Sequence, residues 1–316
     1  MAVRYFCLFT DTNLISMRSY IHVVVFVISL GLFSLSARAQ NQIVVFQSDF
    51  GLKDGAVSAM KGVAMGVSSD LKLFDLTHEI PAYNIWEAAY RLQQTVPYWP
   101  AGTVFVSVVD PGVGTDRKSV VLRTATGQFI VTPDNGTLTL IAESLGIAEI
   151  REIDEAVNRR KGSGESYTFH GRDVYAYTGA RLAAGVISFR QVGPLLPARV
   201  VSIPYQKAAF DGKKIKGTIA ILDIQYGNIW TNIPGDLFKQ LNLSFGDKLH
   251  LAIYHNGQMQ YQGDMPYSAT FGAVAIGQPL AYLNSLLQLS FALNQGSFAD
   301  VNKIGSGNDW SVEVWK

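Results

Sequence analysis

The densest group of polar side chains in the sequence is Asp110-Pro-Gly-Val-Gly-Thr-Asp116-Arg117, which directly follows an apolar run. Two glycines and a proline specify a tight, stiff loop. Such a loop can hold Asp110 at the end of a strand and bring Arg117 back toward it. The alternative is a glycine turn with a surface ion pair, and this motif alone leaves both interpretations open.

A second group is Thr168-Phe169-His170-Gly171-Arg172-Asp173, which follows a polar, Gly-rich stretch and precedes a predicted helix. His170 can orient a water molecule or complete a site with an aspartate and an arginine. A lone histidine beside an aromatic residue is, however, more often a packing residue. His78, which follows a predicted strand, is interpreted as structural.

A third group, Asp223-Ile-Gln-Tyr226-Gly227-Asn228-Ile-Trp230-Thr-Asn232, alternates aromatic and amide side chains after a strand. This pattern can stack a base and read its polar edge. It is equally typical of a β-hairpin whose turn is Tyr226-Gly227-Asn228. No P-loop lysine motif, G-x-G-x-x-G or H-E-x-x-H pattern accompanies these groups. We therefore predict neither a cofactor nor a metal ion.

Strands and helices must position these side chains. Short apolar runs predict strands at 42–47, 71–76 and 102–109, with helices at 56–67 and 85–96 between them. This alternation is typical of an α/β domain with a largely parallel sheet. Ligands gather where the strands of such sheets end, and Asp49 and Asp110 lie at two such ends. Further strands are predicted at 119–123 and 128–132, and a helix at 174–184.

The pattern changes from Lys214 onward. Short β runs at 215–224, 248–254, 273–283 and 312–315 are separated by Gly and Asn, with little helix beyond 235–241. This is typical of a smaller all-β, barrel-like domain. The predicted organisation is an N-terminal α/β catalytic domain at 40–205 and a C-terminal β-barrel domain at 206–316.

Residues 1–39 read as a secretory signal peptide. Arg4 and Arg18 supply positive charge, 21–35 is an apolar run, and Ser36-Ala37-Arg38-Ala39 places the cleavage before Gln40. The apolar run is short for a membrane span of about 20 residues, so we expect a periplasmic protein without a stable span after cleavage. An uncleaved anchor and a start at Met17 are the alternatives. Cys7, the single cysteine, lies in the segment that cleavage removes.

Composition limits the partners. Of the 316 residues, 48% are hydrophobic, which is ample for packed cores. The formal net charge of +1 gives no global field that favours nucleic acid or anionic lipid. We therefore expect no nucleic-acid partner.

Taken together, the motifs resemble the SAM hydroxide adenosyltransferase family, the adenosine-forming hydrolases of S-adenosylmethionine (SAM) that are related to fluorinase and chlorinase. The resemblance runs in order from about residue 43 to residue 294. The motifs that carry it are Ser48-Asp49-Phe50-Gly51, Asp54, Asp110 to Arg117, Pro133-Asp-Asn-Gly136, Thr168 to Asp173 and Gly227-Asn-Ile-Trp-Thr-Asn232.

The resemblance implies an α/β domain joined to a β-barrel, in a homotrimer that binds SAM between the N-terminal domain of one subunit and the C-terminal domain of its neighbour. It implies that SAM is the substrate and is hydrolysed to adenosine and methionine. The implied catalytic set is Asp110, Arg117 and His170. The implied substrate-binding residues are Asp49 for the ribose diol, Asp223 for the amino group, Tyr226 and Asn228 for adenine, Asn284 and Ser285 for the amino-acid end, and Asp54 and Phe169 from the motifs.

Three sequence features distinguish the enzymes of this family that use water as the nucleophile from those that use a halide. Fluorinase-like enzymes have a tyrosine in place of Asp110, a serine in place of Gly171, and an inserted loop where this chain has only residues 123–131. We therefore predict that water is the nucleophile. Leu286 replaces an arginine that fluorinases use for the carboxylate, and Leu293 and Gln295 also differ from them.

Two other functions remain open on the sequence. The first is an exported module that binds adenosine or SAM without turnover. The second is another hydrolase on the same scaffold, such as a nucleosidase or a metal phosphoesterase.

Overall fold

The computed structural model describes residues 41–316, which form one compact unit. The predicted signal peptide and Cys7 lie outside these residues. Within residues 41–316, each helix is too short or too polar to cross a membrane.

The N-terminal part is built on a mixed six-stranded sheet in the order β2-β1-β3-β5-β4-β6. Strands β2, β1, β3 and β5 are parallel, whereas β4 runs antiparallel to both β5 and β6. The predicted α/β architecture is confirmed, with a hairpin reversal that adds β4 and β6. The strands are β1 Ile43–Ser48, β2 Lys72–Thr77, β3 Val104–Val108, β4 Ser119–Thr124, β5 Phe129–Pro133 and β6 Ile147–Glu152.

Helices cover both faces of this sheet, because its central strands bury side chains on both sides. Val44 and Phe46 of β1 face one hydrophobic core, and Val45 between them faces the other, as the two-residue period of a strand requires. The helices are α1 Ala56–Val67, α2 Ile85–Thr95, α3 Thr139–Leu145, α4 Glu155–Asn158 and α5 Tyr177–Ala183.

Two details of the sequence prediction were wrong. The helix predicted at 174–184 begins earlier, as a π-helical segment Gly171–Ala176 that continues into α5. The short elements α3, β6 and α4 had not been predicted. Each is only four to seven residues long, so its local sequence pattern is weak.

The C-terminal part is an eight-stranded antiparallel sheet in the order β11-β10-β14-β8-β9-β13-β12, with β7 paired to β8. A bridge between Tyr267 and Ala281 links the two ends of the sheet and nearly closes it. The predicted barrel-like fold is confirmed. The strands are β7 Ala209–Phe210, β8 Lys214–Asp223, β9 Asn228–Pro234, β10 Lys248–His255, β11 Gln258–Pro266, β12 Pro279–Leu283, β13 Gln288–Leu293 and β14 Trp310–Trp315.

The predicted strand at 273–283 is shorter than expected. Residues Phe271–Ala273 form a 3₁₀ turn, and the strand begins only at Pro279. Strands β9, β11 and β13 had not been predicted as separate strands. Two short helices complete this part, α6 Gly235–Phe238 and α7 Phe298–Asn302.

Helix α2 joins the two parts. The indole N–H of Trp86 donates to the carbonyl of Ala220 in β8 at 2.7 Å, and the Tyr90 hydroxyl donates to Gln288 at 3.2 Å. Both rings are buried in a small apolar cluster with Leu140 and Ile221. The α/β part is thereby fixed against the barrel. The boundary after residue 205 stays a prediction.

Two helical glycines allow a matched test of this packing. A Cβ added to Gly179 in α5 would lie 2.6 Å from Val106 of β3, whereas one added to Gly62 in α1 would meet no atom within 4 Å. We expect Gly179→Ala to lower the free energy of unfolding by about 1–3 kcal/mol, because the helix must move off the sheet. Gly62→Ala should raise it by about 0.5–1 kcal/mol. Urea denaturation measures both, and equal effects would contradict the close packing of α5.

Candidate active site

Asp110 and Arg117 form a buried ion pair beyond the end of β3. Arg117 Nε donates to Asp110 Oδ1 at 2.9 Å, and Nη2 donates to Oδ2 at 2.5 Å. The side chains are only 5% and 12% exposed. The loop between them is a tight turn in which Gly114 has a φ of +79°, a conformation that favours glycine. The loop therefore returns Arg117 to Asp110, as the pattern predicts.

Tyr175 and Ser119 add hydrogen bonds around this ion pair. Its hydroxyl lies 3.3 Å from Asp110 Oδ2 and 3.2 Å from Ser119 Oγ, and Arg117 Nη1 donates to Ser119 at 3.1 Å. Burial, and then the charge of Asp110, raise the pKa of Tyr175, so the phenol remains a donor. Burial opposes the charge of Arg117, but its hydrogen bonds to Asp110 raise the pKa of the guanidinium. Sequence reasoning missed Tyr175 and Ser119.

His170 lies near this pair but contacts other residues. Its Nε2 is 2.8 Å from Arg159 Nη2 and 3.5 Å from Glu155 Oε2. Its Nδ1 is buried and has no hydrogen-bond partner among residues 41–316. Arg159 and Glu155 belong to no motif in the sequence, so only the tertiary structure identifies them.

A cavity of about 240 Å³ brings the predicted residues together. Asp49, Asp110, Phe169 and His170 all line it, although they come from three separate segments of the chain. Arg117 does not line it, and its donors are directed at Asp110 and Ser119. In this structure Arg117 therefore holds the carboxylate in place.

Asp49 fixes an unusual backbone conformation at the same cavity. Its Oδ2 accepts a hydrogen bond from the backbone N–H of Tyr83 at 2.9 Å. Tyr83 has a φ of +68°, which is uncommon for a residue other than glycine and is found where neighbouring contacts enforce it. Tyr83 belongs to no motif in the sequence, yet it also lines the cavity.

A chain of hydrogen bonds supports the turn that carries Asp49. Ser48 Oγ lies 2.7 Å from His78 Nδ1, and His78 Nε2 lies 3.0 Å from Asp75, which also accepts from Lys61 at 2.6 Å. The backbone N–H of Gly51 donates to the carbonyl of His78 at 2.7 Å. Burial lowers the pKa of His78 despite the Asp75 carboxylate. His78 does not line the cavity, and its contacts with Ser48 and Gly51 hold the turn in place.

A second cavity, of about 780 Å³, lies at the barrel. It is lined by five of the predicted residues, namely Asp223, Tyr226, Asn228, Asn284 and Ser285. The turn between β8 and β9 is formed by residues 224–227, and Asn228 is the first residue of β9. The hairpin interpretation and a binding role are therefore compatible. Trp230 of the same predicted group lines the cavity, as do Leu293 and Gln295. Phe271 and Tyr282, which were not predicted, add aromatic surface.

Polar groups in this second cavity are partly pre-arranged. Asn228 Nδ2 donates to Asp223 Oδ2 at 3.2 Å. Asn284 Oδ1 accepts from the backbone of Leu286 and Gln288, while its buried Nδ2 has no partner in the described part of the chain. An amide donor, a carboxylate and exposed aromatic rings in one cavity suit a ligand with a planar base and a charged end.

Two predicted features lie outside both cavities. Asp54 is exposed, and its Oδ1 accepts from the N–H of Ala56 at 2.8 Å at the start of α1. Leu286 is likewise absent from the cavity walls. No residue of 41–316 lines both cavities. Across these residues, no three His, Cys, Asp or Glu side chains are grouped as a metal site would need.

Both parts of the chain match domains of one family. The model of the SAM hydroxide adenosyltransferase N-terminal domain matches residues 44–193, and that of the C-terminal domain matches residues 217–311. The chain belongs to this family. The first match contains the smaller cavity, and the second contains the larger one.

Relatives of the SAM hydroxide adenosyltransferase family include both hydrolases and fluorinases. The (R)-S-adenosyl-L-methionine hydrolase of Salinispora tropica is 33% identical over 84% of this chain and 95% of its own length. A fluorinase of Actinopolyspora mzabensis is 28% identical over 81% and 92%. A crystal structure of an uncharacterized conserved protein from Thermotoga maritima superposes with a TM-score of 0.78 at 34% identity, covering 86% of this chain and all (100%) of that one.

Proposed function

We propose that the protein hydrolyses S-adenosyl-L-methionine to adenosine and L-methionine by in-line attack of a water molecule on C5′. The observation that carries the proposal is the convergence of Asp49, Asp110 and His170 on one small cavity. The names of several relatives at 33–34% identity, all (R)-S-adenosyl-L-methionine hydrolases, support the same reaction.

The chemistry requires little beyond positioning. The oxygen–C5′ bond forms as the C5′–sulfur bond breaks, and the neutral thioether leaves without needing a proton. The water must lose one proton, and Asp110 accepts it. Asp110 Oδ2 already accepts hydrogen bonds from Arg117 and Tyr175, whereas Oδ1 accepts one only from Arg117 Nε. Oδ1 therefore retains a lone pair for the water, because an ionised carboxylate oxygen accepts about two hydrogen bonds.

Placing the reactants in line supplies much of the rate. A well-oriented pair of reacting groups can lower a barrier by about 7–11 kcal/mol at the upper limit. In our proposal Asp49 holds the ribose diol and fixes C5′ beside Asp110. Asp223 binds the substrate ammonium, and Tyr226 and Asn228 hold adenine, while Asn284 and Ser285 meet the amino-acid end. Asp54 and Phe169 remain predicted substrate contacts, and no cofactor is invoked.

Local geometry favours water over a halide. A Cβ on Gly171 would lie 3.2 Å from Phe50 and Val108 and 3.3 Å from Met60, so a serine there requires these neighbours to move. Strands β4 and β5 are joined by a tight turn at residues 125–128, which leaves no inserted loop. The charged pair of Asp110 and Arg117 also suits a water molecule better than a desolvated halide.

Product analysis tests the function and separates the alternatives. The purified protein is incubated with each sulfur epimer of SAM, because the relatives' names specify the (R) form, and products are identified by mass spectrometry. Adenosine plus methionine supports the proposal. Free adenine indicates a nucleosidase, and retained ligand without product indicates a binding module. In ¹⁸O-water, the label must enter the 5′-hydroxyl of adenosine.

Asp110→Asn tests the proton acceptor. The substitution removes a negative charge and one acceptor, so we expect kcat to fall by roughly 10²–10⁴-fold. Binding of SAM, measured by calorimetry, should change far less. Asp116→Asn is the matched control, since Asp116 is an exposed residue of the same loop, and it should retain near wild-type turnover. A variant at 110 with near wild-type kcat removes Asp110 from the mechanism.

We further propose a homotrimer in which each site joins the smaller cavity of one subunit to the larger cavity of its neighbour. The family resemblance implies this arrangement, and the division of the predicted residues between two cavities is consistent with it.

Mixed oligomers test the shared site. Asp110→Asn and Asp223→Ala subunits are each expected to be weakly active alone. When they are refolded together, some sites receive an intact Asp110 from one subunit and an intact Asp223 from another, so activity should reappear. Light scattering gives the oligomeric state. No recovery from oligomers that are shown to be mixed would contradict a site between subunits.

Export to the periplasm remains a proposal that rests on the sequence of residues 1–39. The mature protein is expected to begin at Gln40. Intact-mass analysis of the protein from a periplasmic fraction checks this, and a full-length mass there would contradict cleavage.

A further inference from the structure

The histidine of the proposed site is held through its Nε2 nitrogen. His170 is 3% exposed, and its Nε2 faces Arg159 Nη2 at 2.8 Å and Glu155 Oε2 at 3.5 Å. Its Nδ1 is buried without a partner in the described chain, in a ring that lines the smaller cavity. The two nitrogens of one ring are thus in different surroundings.

Arg159 has little freedom to move away. Its Nε and Nη2 donate to Glu155 Oε2 at 3.1 and 2.6 Å, and its guanidinium carbon lies 4.8 Å from the centre of the Tyr167 ring. Its side chain is 10% exposed. The two hydrogen bonds to the Glu155 carboxylate keep Arg159 in place beside His170.

The contact with Arg159 determines where His170 carries its proton. A guanidinium offers only N–H donors, so it can bond Nε2 only if that nitrogen presents a lone pair. The proton of the neutral ring must then be on Nδ1. If the ring gains a second proton, Nε2–H can instead turn to Glu155, and Nδ1 keeps its proton. Both states thus keep a proton on Nδ1, the ring nitrogen that has no partner among residues 41–316.

We propose that Arg159, held by Glu155, is a positioning residue that fixes His170 in the Nδ1–H tautomer, so that the neutral ring has no free lone pair and proton acceptance falls to Asp110. The catalytic consequence rests on the proposed hydrolase function, but the tautomer itself does not. The opposite tautomer would make His170 a second base.

The tautomer is measured first, without substrate. Long-range ¹H–¹⁵N correlation spectra of the intact protein distinguish a protonated ring nitrogen from a bare one, and the His170 signals are assigned by their loss in His170→Gln. In the neutral ring we expect Nδ1 to be protonated and Nε2 to be bare. A protonated Nε2 with a bare Nδ1 in the wild-type protein would overturn the proposal, whatever its activity.

Substitution of Arg159 provides the second measurement. Arg159→Met removes the donor and leaves Glu155 free to accept, so neutral His170 should switch to the Nε2–H tautomer. Arg159→Lys retains a donor and should keep the wild-type tautomer at least in part. Arg181→Met is the matched control, because Arg181 anchors the same segment through Val157 and Asn158 without touching the ring. An unchanged tautomer in Arg159→Met would refute the role of Arg159.

Kinetics then connect the tautomer to the reaction. Loss of an orienting partner that leaves a histidine in the wrong tautomer can cost up to about 10⁴-fold in kcat. For Arg159→Met we expect a smaller loss, roughly 10–10³-fold in kcat with KM changed little, and near wild-type values for Arg181→Met. A switched tautomer with unchanged kcat would refute the catalytic consequence. An inactive wild-type protein with the Nδ1–H tautomer would refute the proposed hydrolase function alone.

Discussion

Asp110 and Arg117 bring opposite charges out of water at the end of β3, and the rest of the site is arranged around that contact. Removing two ions from water costs several kcal/mol each, and only good geometry with further hydrogen bonds offsets it. Two parallel hydrogen bonds, the Tyr175 hydroxyl and Ser119 supply this compensation. A single replacement in the pair leaves a buried charge without its partner. The carboxylate is therefore held in one orientation beside the cavity.

The mixed sheet makes this convergence possible. Strands β1 and β3 are parallel neighbours, so the residues that follow them, Asp49 and Asp110, emerge at the same edge. His170 directly precedes the π-helical segment Gly171–Ala176, which brings it to that edge from a distant part of the sequence. Close packing of Gly171 against Phe50, Val108 and Met60 fixes its approach. The ends of β1 and β3 and the start of the π-helical segment thus position Asp49, Asp110 and His170.

The two cavities are lined by different kinds of side chain. The smaller one is lined by carboxylates and a histidine and suits bond making. The larger one has aromatic rings, the Asp223 carboxylate and the buried amide of Asn284, whose Nδ2 has no partner among residues 41–316, and it suits recognition of a base and an ammonium. A substrate that extends from one to the other requires the two parts to face each other. In the assembly that we propose, the two cavities that face each other belong to different subunits.

The sequence by itself determined the two kinds of layer and the motifs, because apolar periodicity and glycine-rich turns are local properties. The family resemblance of those motifs then implied nine of the residues that line the two cavities. It did not determine that β4 reverses the sheet, that Tyr83 adopts a positive φ, or that Asp54 lies outside both cavities. Tyr175, Glu155 and Arg159 were also invisible in it. Their roles depend on contacts between residues that are far apart in the sequence. In these contacts they form hydrogen bonds with the buried side chains of Asp110 and His170. Only the folded chain brings those partners within reach.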